Sequence, residues 1–351
     1  MRPEIKLNNR SFNLENPLII AEIGCNHQGD LGLCKKIIKE AKEAGVDAVK
    51  LQKRNNKILF TKSQYEKIYN SENSFGKTYG EHREKLEFNK SQFLEIKKFT
   101  EGLGMIFFAT PFDIPSAHFL NDDVDIPLFK ISSSDVENKP LIDTVLNFKK
   151  PIIVSTGFSD MSHLDKLYKY IKLRTNNFCF LQCTASYPCK VEDLNLNVLK
   201  VLKKKFKDIL VGLSSHHNGY STETIAYMLG ARVFEKHFTI DRTMKGTDQA
   251  FSLSGSAMKR MVRDIKRIEK ALGNDEKKKC ESEIEPMQKM KKSLVFLNDK
   301  CSGSKILKDD IGVKCAGDFG ISPWDVDKVI GKKLLKEVKS DTVIKTTHFK
   351  K

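Results

Sequence analysis

Eight short apolar runs, rich in β-branched and aromatic residues, recur along most of the chain. They are LIIAEI (18–23), VDAVKL (46–51), MIFFA (105–109), IPLFKI (126–131), PIIVS (151–155), NFCFLQ (177–182), DILVGL (208–213) and ARVFEK (231–236). Amphipathic segments of helical length lie between and after them, at 31–44, 91–102, 139–148, 160–173, 195–206, 221–229 and 257–272. Near-continuous apolar runs are typical of parallel strands covered by helices. Eight such units in about 260 residues predict an α/β fold, a (β/α)8 TIM barrel.

Two departures from even spacing suggest how the chain is divided. A polar segment, 52–90, separates the second run from the next helix, and connections of this length are usually functional or disordered. A charged segment, 273–292, follows the last barrel helix. We therefore predict a catalytic barrel domain at 1–272, a charged linker at 273–292 and a small, strand-rich domain at 293–351. A length of 351 residues suits two domains.

Charge and cysteine content narrow the functional classes. The chain has 61 Lys and Arg against 45 Asp and Glu, a net charge of +16. The lysines are scattered over helix faces instead of forming one stripe, so we expect small anionic substrates and no nucleic acid. No run reaches the ~18 apolar residues of a membrane span, and no secretory signal is visible. The eight cysteines form no C-x-x-C pair, so we expect free thiols and a cytoplasmic location.

Polar residues stand at the end of every predicted strand, where barrel enzymes place their chemistry. The candidates are Glu22, Lys50, Gln52, Thr110, Lys130, Ser133, Ser155, Tyr187, Ser214, His216, Glu235 and His237. Polar groups at all eight strand ends would cap an apolar core poorly. They predict the lining of a polar pocket at one mouth of the barrel.

Two histidines, His216 and His237, follow neighbouring strands that should lie about 4.8 Å apart. Their imidazoles could converge on one divalent cation and leave coordination positions open, as a catalytic metal needs. Manganese, magnesium, cobalt and zinc would all suit such a site. The alternative is a hydrogen-bonded pair without metal. His217 should point to the opposite side of the strand and is not expected to be a ligand.

Two lysines, Lys50 and Lys130, lie inside predicted buried strands, where a charge is costly unless it is paired or functional. Together with serine hydroxyls, they could bind a small dianion or trianion. A Schiff-base lysine is the rival interpretation, and a side chain that reaches solvent is the third. Glu22 and Glu235 are candidate acid–base groups or counter-charges to these lysines.

Two further features have open interpretations. The segment FGKTYGEHREKLEF (75–88) contains Lys77, His82 and Arg83, which could close as a lid over an anionic substrate or belong to a flexible surface insertion. Cys183 could be a nucleophile, but the sequence shows no cysteine–histidine pairing, so we predict a packed thiol.

Seven segments in a fixed order resemble the sialic acid synthase family. They are AEIGCNHQGDL (21–31), AVKLQK (48–53), FKISSSD (129–135), STG (155–157), QCTASYP (182–188), GLSSHH (212–217) and FEKHFTIDRTMKGTDQAFSL (234–253). The segments GKTYGEHREKLEF and NFCFLQCTASYP look most like the animal-type N-acetylneuraminate-9-phosphate synthases. Residues 293–351 look like the antifreeze-like (SAF) domain that ends these enzymes.

The resemblance implies a reaction and a set of site residues. Family members condense phosphoenolpyruvate with N-acetylmannosamine or its 6-phosphate, using a divalent metal that is often manganese, in a domain-swapped homodimer whose SAF domain covers the partner's active site. The family's metal ligands fall on His216 and His237. Its phosphoenolpyruvate-binding positions fall on Lys50, Thr110, Lys130, Ser133, Ser155 and Ser214. Its sugar-side positions fall on Glu22, Gln52, Tyr187 and Asp248.

The chain departs from the bacterial pattern at two places. Ala185 and Ser186 stand where many bacterial members have asparagine, and Cys315 stands where the SAF domain has an arginine that reaches the sugar. Lys314 is a candidate substitute for that arginine. The acceptor could carry a 6-phosphate or be a diamino sugar of the legionaminic or pseudaminic kind. The alternatives to such a synthase are a Schiff-base pyruvate aldolase and a non-catalytic basic binding protein.

Overall fold

The computed structural model describes residues 2–7 and 10–349. Within them the strands are β1 Ile5–Leu7, β2 Arg10–Phe12, β3 Leu18–Gly24, β4 Ala48–Lys53, β5 Ile106–Pro111, β6 Phe129–Ile131, β7 Ile152–Ser155, β8 Phe178–Cys183, β9 Leu210–Ser215, β10 Val233–His237, β11 Lys292–Phe296 and β12 Ile311–Cys315. The α-helices are α1 Leu31–Ala44, α2 Asn56–Leu59, α3 Lys62–Tyr65, α4 Tyr79–Glu84, α5 Lys90–Gly102, α6 Ile114–His118, α7 Lys139–Asn147, α8 Met161–Lys172, α9 Val198–Lys205, α10 Ser221–Met228, α11 Gly255–Leu272 and α12 Ile284–Met290.

Strands β3 to β10 form a closed parallel barrel in chain order, and β10 pairs with β3 to complete it. All eight predicted runs form these strands, so the barrel prediction is confirmed. The run at 126–131 gives the short strand β6, because Pro127 has no backbone N–H for a ladder. Ile126 and Leu128 are nevertheless fully buried. The carboxyl ends of the eight strands open at the same mouth.

The outer helices are stabilised by side-chain caps and by amphipathic faces. Asp30 caps α1 by accepting a hydrogen bond from the Leu33 backbone N–H at 2.8 Å. Asn89 and Gln92 form a reciprocal capping box at the start of α5. The longest helix, α11, buries Met258, Met261, Val262 and Ile265 on the barrel side. The helices thus cover the barrel, and the pairing register of the strands positions the site.

The polar segment 52–90 contains regular structure. It contains α2, α3 and α4, and α4 begins with a capping box between Thr78 and Glu81. It is joined to the segment after β10 by the Gly246 N–H, which donates to Asn73 Oδ1 at 3.0 Å. The ammonium group of Lys245 also lies 5.0 Å from the Phe75 ring centroid. The segment is therefore anchored beside the mouth.

A short hairpin, β1 with β2, was not predicted from the sequence. Its strands have three residues each, too few for an alternating pattern to be recognised. Ile5 and Phe12 are buried in the barrel core. Asn177, which precedes β8, exchanges two hydrogen bonds with the Lys6 backbone. The hairpin therefore packs at the amino ends of the strands, away from the mouth.

The chain divides into two compact units, 1–273 and 274–351. The second unit has its own apolar core, made by Leu294, Phe296, Ile306, Val329, Leu334, Val338, Ile344 and Phe349. Its described part has one antiparallel pair, β11 with β12, and several isolated bridges. The segment 273–292 is almost entirely exposed and contains α12.

Among the described residues, no helix combines the length and apolarity that crossing a bilayer needs.

Candidate active site

A cavity of about 230 Å³ opens at the carboxyl mouth of the barrel. It is lined by Glu22, Lys50, Gln52, Thr110, Phe112, Lys130, Ser132, Ser133, Ser134, Ser155, Phe158, Cys183, Tyr187, Ser214, His216, Glu235 and His237. Every candidate from the strand ends is among these residues. Asp248 lies beside them, with Oδ2 3.6 Å from His237 Nδ1. Phe112 and Phe158 were not predicted, because a phenylalanine after a strand carries no signal that separates a pocket wall from core.

Two ammonium groups lie at the floor of the cavity. Lys50 and Lys130 are each 3% exposed, so the interpretation in which they reach solvent is wrong. Lys50 Nζ donates to Thr110 Oγ1 at 2.8 Å and contacts Glu22 Oε2 at 2.6 Å. Lys130 Nζ donates to Ser155 Oγ at 2.7 Å. Burial lowers the pKa of Lys130, although Glu235 raises it.

Two carboxylates face these lysines. The register of β3 with β4 places Glu22 directly opposite Lys50. Glu235 Oε1 lies 3.7 Å from Lys50 Nζ and 3.8 Å from Lys130 Nζ. Burial raises the pKa of Glu22 to about 7 against the opposing charge of Lys50, and the charge of Glu235 contributes to this rise. Burial also raises the pKa of Glu235, but Lys130 and Lys50 outweigh it and hold that pKa below its usual value. The pKa values of the two carboxyl groups are thus shifted in opposite directions. Such a difference is typical of a pair in which one group acts as an acid and the other as a base.

Hydroxyl groups complete one side of the cavity. Ser133 Oγ accepts a hydrogen bond from the Gly157 backbone N–H at 3.1 Å, and Ser214 Oγ donates to Glu235 Oε1 at 3.3 Å. A Cβ at Gly157 would lie 2.6 Å from Ser133 Oγ, so a glycine is needed for this close approach. The hydroxyls and the two ammonium groups form a compact set of donors for an anion.

The imidazoles of His216 and His237 lie with ring centroids 5.3 Å apart. His216 Nδ1 lies 3.1 Å from the Thr184 carbonyl oxygen, and donation to that oxygen leaves Nε2 with a free lone pair. His237 Nδ1 and Glu235 Oε2 are buried without hydrogen-bond partners in the described part of the chain.

These unsatisfied atoms beside two converging imidazoles fit a divalent cation. No group of three or more His, Cys, Asp or Glu residues in the described ranges is arranged to hold a metal by itself. A cation here would therefore rely on water or substrate for its remaining ligands, as catalytic metal sites do.

Cys183 and His217 differ in how they relate to this pair. Cys183 Sγ lies 3.9 Å from His216 Nδ1, so the sequence missed a cysteine–histidine contact that only folding creates. Burial raises the pKa of Cys183, but His216 outweighs burial and lowers it overall. His217 is not part of the cavity lining. Its Nδ1 lies 2.8 Å from Ser215 Oγ and 3.1 Å from Lys236 Nζ.

The three residues proposed for a lid have different environments. Lys77 is exposed, whereas His82 is fully buried. Arg83 is half-buried, and its Nη1 lies 3.9 Å from Cys25 Sγ, just after strand β3. Lys314 lies in the second unit, where its ammonium group pairs with the Asp341 carboxylate.

Comparisons with known proteins agree on one family. Residues 37–277 match the NeuB family model. The human N-acetylneuraminate-9-phosphate synthase is 38% identical over 326 residues, which cover 93% of this chain and 90% of the relative. The N,N'-diacetyllegionaminic acid synthase of Legionella pneumophila is 32% identical over 94% of each chain.

A solved structure gives the same result. The sialic acid synthetase of Leptospira borgpetersenii has a TM-score of 0.70 and 32% identity, and the match covers 82% of this chain and 96% of that one. The motifs, the barrel and the relatives therefore agree: this chain belongs to the NeuB family of sialic acid synthases.

Proposed function

We propose that the protein condenses phosphoenolpyruvate with N-acetylmannosamine or its 6-phosphate, giving N-acetylneuraminate or its 9-phosphate and inorganic phosphate. The observation that carries this proposal is the buried ammonium pair, Lys50 and Lys130, set among hydroxyl donors and facing two carboxylates. Such a concentration of fixed cations suits a substrate that bears both a carboxylate and a phosphate.

The anion-binding side orients phosphoenolpyruvate. Lys130 Nζ donates to Ser155 Oγ, and Ser133 Oγ accepts from the Gly157 backbone N–H. These three side chains would receive the negatively charged groups. Lys50, on the other side of Glu235, would bind a second anionic group. Preorganised donors of this kind need little rearrangement as charge moves during the reaction, which is commonly a large part of catalysis.

Bond formation would occur between the His216–His237 imidazole pair and the anion-binding side of the cavity. The methylene carbon of phosphoenolpyruvate attacks the aldehyde carbon of the open-chain sugar, and a carbon–carbon bond forms. Water adds to the former enol carbon, and the tetrahedral product then expels phosphate by cleavage of its carbon–oxygen bond. Glu22 and Glu235 are the groups placed to hold protons for the water and the sugar hydroxyls.

His216 and His237 are the residues that would hold a divalent metal, manganese being the first candidate. A metal there would supply Lewis-acid polarisation of the aldehyde oxygen. Tyr187, whose ring centroid lies 4.2 Å from that of His216, would close the sugar side of this region. Gln52, Glu22 and Asp248 meet around Gly24, whose φ of +55° and close neighbours leave little room for a side chain.

The second unit is proposed to act as an SAF domain in a domain-swapped homodimer in the cytoplasm. Its separate apolar core supports independent packing. Lys314 would need to leave Asp341 to replace the arginine of bacterial relatives. Deletion of 293–351 should then strongly reduce turnover, and full activity of the remaining chain would refute this part of the proposal.

One assay tests the reaction directly. Phosphate release from phosphoenolpyruvate is measured with N-acetylmannosamine, its 6-phosphate and a diamino sugar of the legionaminic type, each with and without manganese. We expect release that depends on both the acceptor and the metal. Release without any acceptor sugar, or none with every acceptor tested, would refute the proposed condensation.

A further inference from the structure

Two guanidinium groups meet just outside the wall of the active-site cavity. Arg54 Nη1 lies 4.0 Å from Cys25 Sγ, and Arg83 Nη1 lies 3.9 Å from the same sulfur. Arg54 follows strand β4, and Arg83 lies on helix α4 of the anchored segment. Two like charges so near each other, one of them 8% exposed, are costly unless an anion accompanies them.

The carboxylates nearby balance these charges only in part. The charge of Asp248 raises the pKa of Arg83, but Asp248 Oδ2 also lies 3.6 Å from His237 Nδ1 and forms no ion pair with either arginine. Glu87 lies 2.8 Å from Lys53 Nζ, and its contact with Arg54 Nη1 is 3.9 Å. Arg83 forms no ion pair with any described residue; its Nε and Nη2 donate to Tyr79 Oη at 3.1 and 2.9 Å. Burial raises the pKa of Cys25 against the effect of both arginines, so the sulfur is a neutral thiol and supplies no charge.

Both guanidinium groups are held in place. Arg54 lies 3.9 Å from the Phe112 ring centroid and donates to Gln52 Oε1 at 2.5 Å. Arg83 is fixed by the Tyr79 hydroxyl. Near them, His82 Nδ1 accepts the Phe75 backbone N–H at 3.1 Å. His82 Nε2 is buried without an acceptor in the described part of the chain. The region therefore has surplus donors as well as surplus charge.

The position of the Arg54–Arg83 pair relates these arginines to the acceptor sugar. Gln52 accepts from Arg54 through Oε1, while its Nε2 donates to Glu22 Oε1 at 2.7 Å. One side-chain amide thus separates the guanidinium pair from Glu22. Lys130 and Ser155, at the other side of Glu235, are the anion donors assigned to phosphoenolpyruvate. An anion at the arginines would be carried by the end of the acceptor that is remote from its aldehyde.

We propose that Arg54 and Arg83 form a subsite for a phosphate ester at the far end of the acceptor, so that the preferred acceptor is a 6-phosphorylated N-acylhexosamine. This inference rests on the proposed condensation. Guanidinium groups suit phosphate because their planar donors make paired, charge-assisted hydrogen bonds.

The test compares two acceptors in the full-length, metal-supplied enzyme. The probes are N-acetylmannosamine 6-phosphate and N-acetylmannosamine, with phosphate release as the readout. Arg83→Gln is expected to raise KM for the phosphorylated sugar about 10- to 100-fold, the effect of losing a charge-assisted contact, and to leave the unphosphorylated sugar unchanged. Arg83→Lys should recover part of the loss. Arg260→Gln is the matched control, because Arg260 is exposed and forms no ion pair with a described residue.

A second variant tests the subsite from the opposite direction. Cys25→Asp places a carboxylate between the two arginines and should abolish the preference for the phosphorylated acceptor, whereas Cys25→Ser should keep it. Turnover of the unphosphorylated sugar reports that each variant is folded.

Failure of the phosphate subsite and failure of the proposed condensation would give different results. Turnover in which Arg83→Gln affects both sugars equally, or neither, overturns the phosphate subsite and leaves the condensation intact. Failure of phosphate release with both sugars in the unmodified enzyme overturns the condensation, and this inference with it.

Discussion

Replacing Lys50 with methionine gives a sharp test of the buried charges. The substitution keeps an unbranched apolar stem in the barrel and removes the ammonium group. The lost contacts are those with Glu22 Oε2 at 2.6 Å and Thr110 Oγ1 at 2.8 Å, together with the longer approach to Glu235. Because Glu22 is 1% exposed, its carboxylate would lose its nearest cation without gaining solvent.

The expected change in stability follows from the pKa of Glu22. Burial raises that pKa from 4.5 to about 7 even with Lys50 present. The folded state therefore holds the proton more tightly than the unfolded chain. This contribution to stability is complete below pH 4.5 and disappears as the pH rises to about 7, a loss of about 3 kcal/mol. Without Lys50 the folded pKa rises above 7, so the loss should continue at higher pH.

Urea unfolding at several pH values above 7 measures this effect. Lys50→Met should lose up to about 1.4 kcal/mol of unfolding free energy per pH unit more than the unmodified protein. The double variant Lys50→Met, Glu22→Gln removes the titrating carboxyl group and should remove the extra slope. A single variant with the same pH dependence as the unmodified protein would refute the proposed coupling of these two residues.

The same variant tests the anion site. Loss of one charge-assisted contact, about 1.5–3 kcal/mol, should raise KM for phosphoenolpyruvate about 10- to 100-fold. An unchanged KM would remove Lys50 from that site, whatever its effect on stability.

Three further experiments address the remaining assignments. Excess chelator should stop turnover, and His237→Ala should weaken manganese binding measured by electron paramagnetic resonance; full activity in chelator would contradict a metal role. Borohydride with pyruvate should leave the mass of the protein unchanged, whereas a trapped adduct on Lys130 would favour the Schiff-base aldolase. Gly157→Ala should raise KM for phosphoenolpyruvate about tenfold, because the new Cβ would displace Ser133, which it would approach to 2.6 Å. Gly102→Ala is its control, since no atom lies within 4 Å of a Cβ there, and an equal effect of both changes would disprove the argument.

Several site residues were predictable because a strand end is a local feature of the sequence. Glu22, Lys50 and Glu235 each belong to an apolar run, and parallel strands bring their ends to one mouth. The contact of Cys183 with His216 was not predictable in this way. It depends on the side-chain directions of β8 and the segment after β9, which the order of residues does not express.

The arginine pair shows the same limit of sequence-based prediction for residues that are farther apart in the chain. Arg83 was a lid candidate from its sequence neighbours, but Arg54 and Cys25 carried no signal of their own. Helix α4 brings Arg83 to Cys25 across 58 positions in the chain. Which charges become neighbours in a segment with little apolar periodicity is decided by tertiary packing.

The amino-acid sequence alone determined the barrel, because eight apolar runs that alternate with amphipathic segments can bury their surfaces together in few other ways. The ordered motifs also determined the family. Only the tertiary structure decided how the charges of the mouth are paired, and thus that the pKa of Glu22 rises while that of Glu235 falls. The physical reason is that burial of apolar surface follows a periodic pattern along the chain, whereas electrostatic energy depends on distances of a few ångströms between residues far apart in sequence.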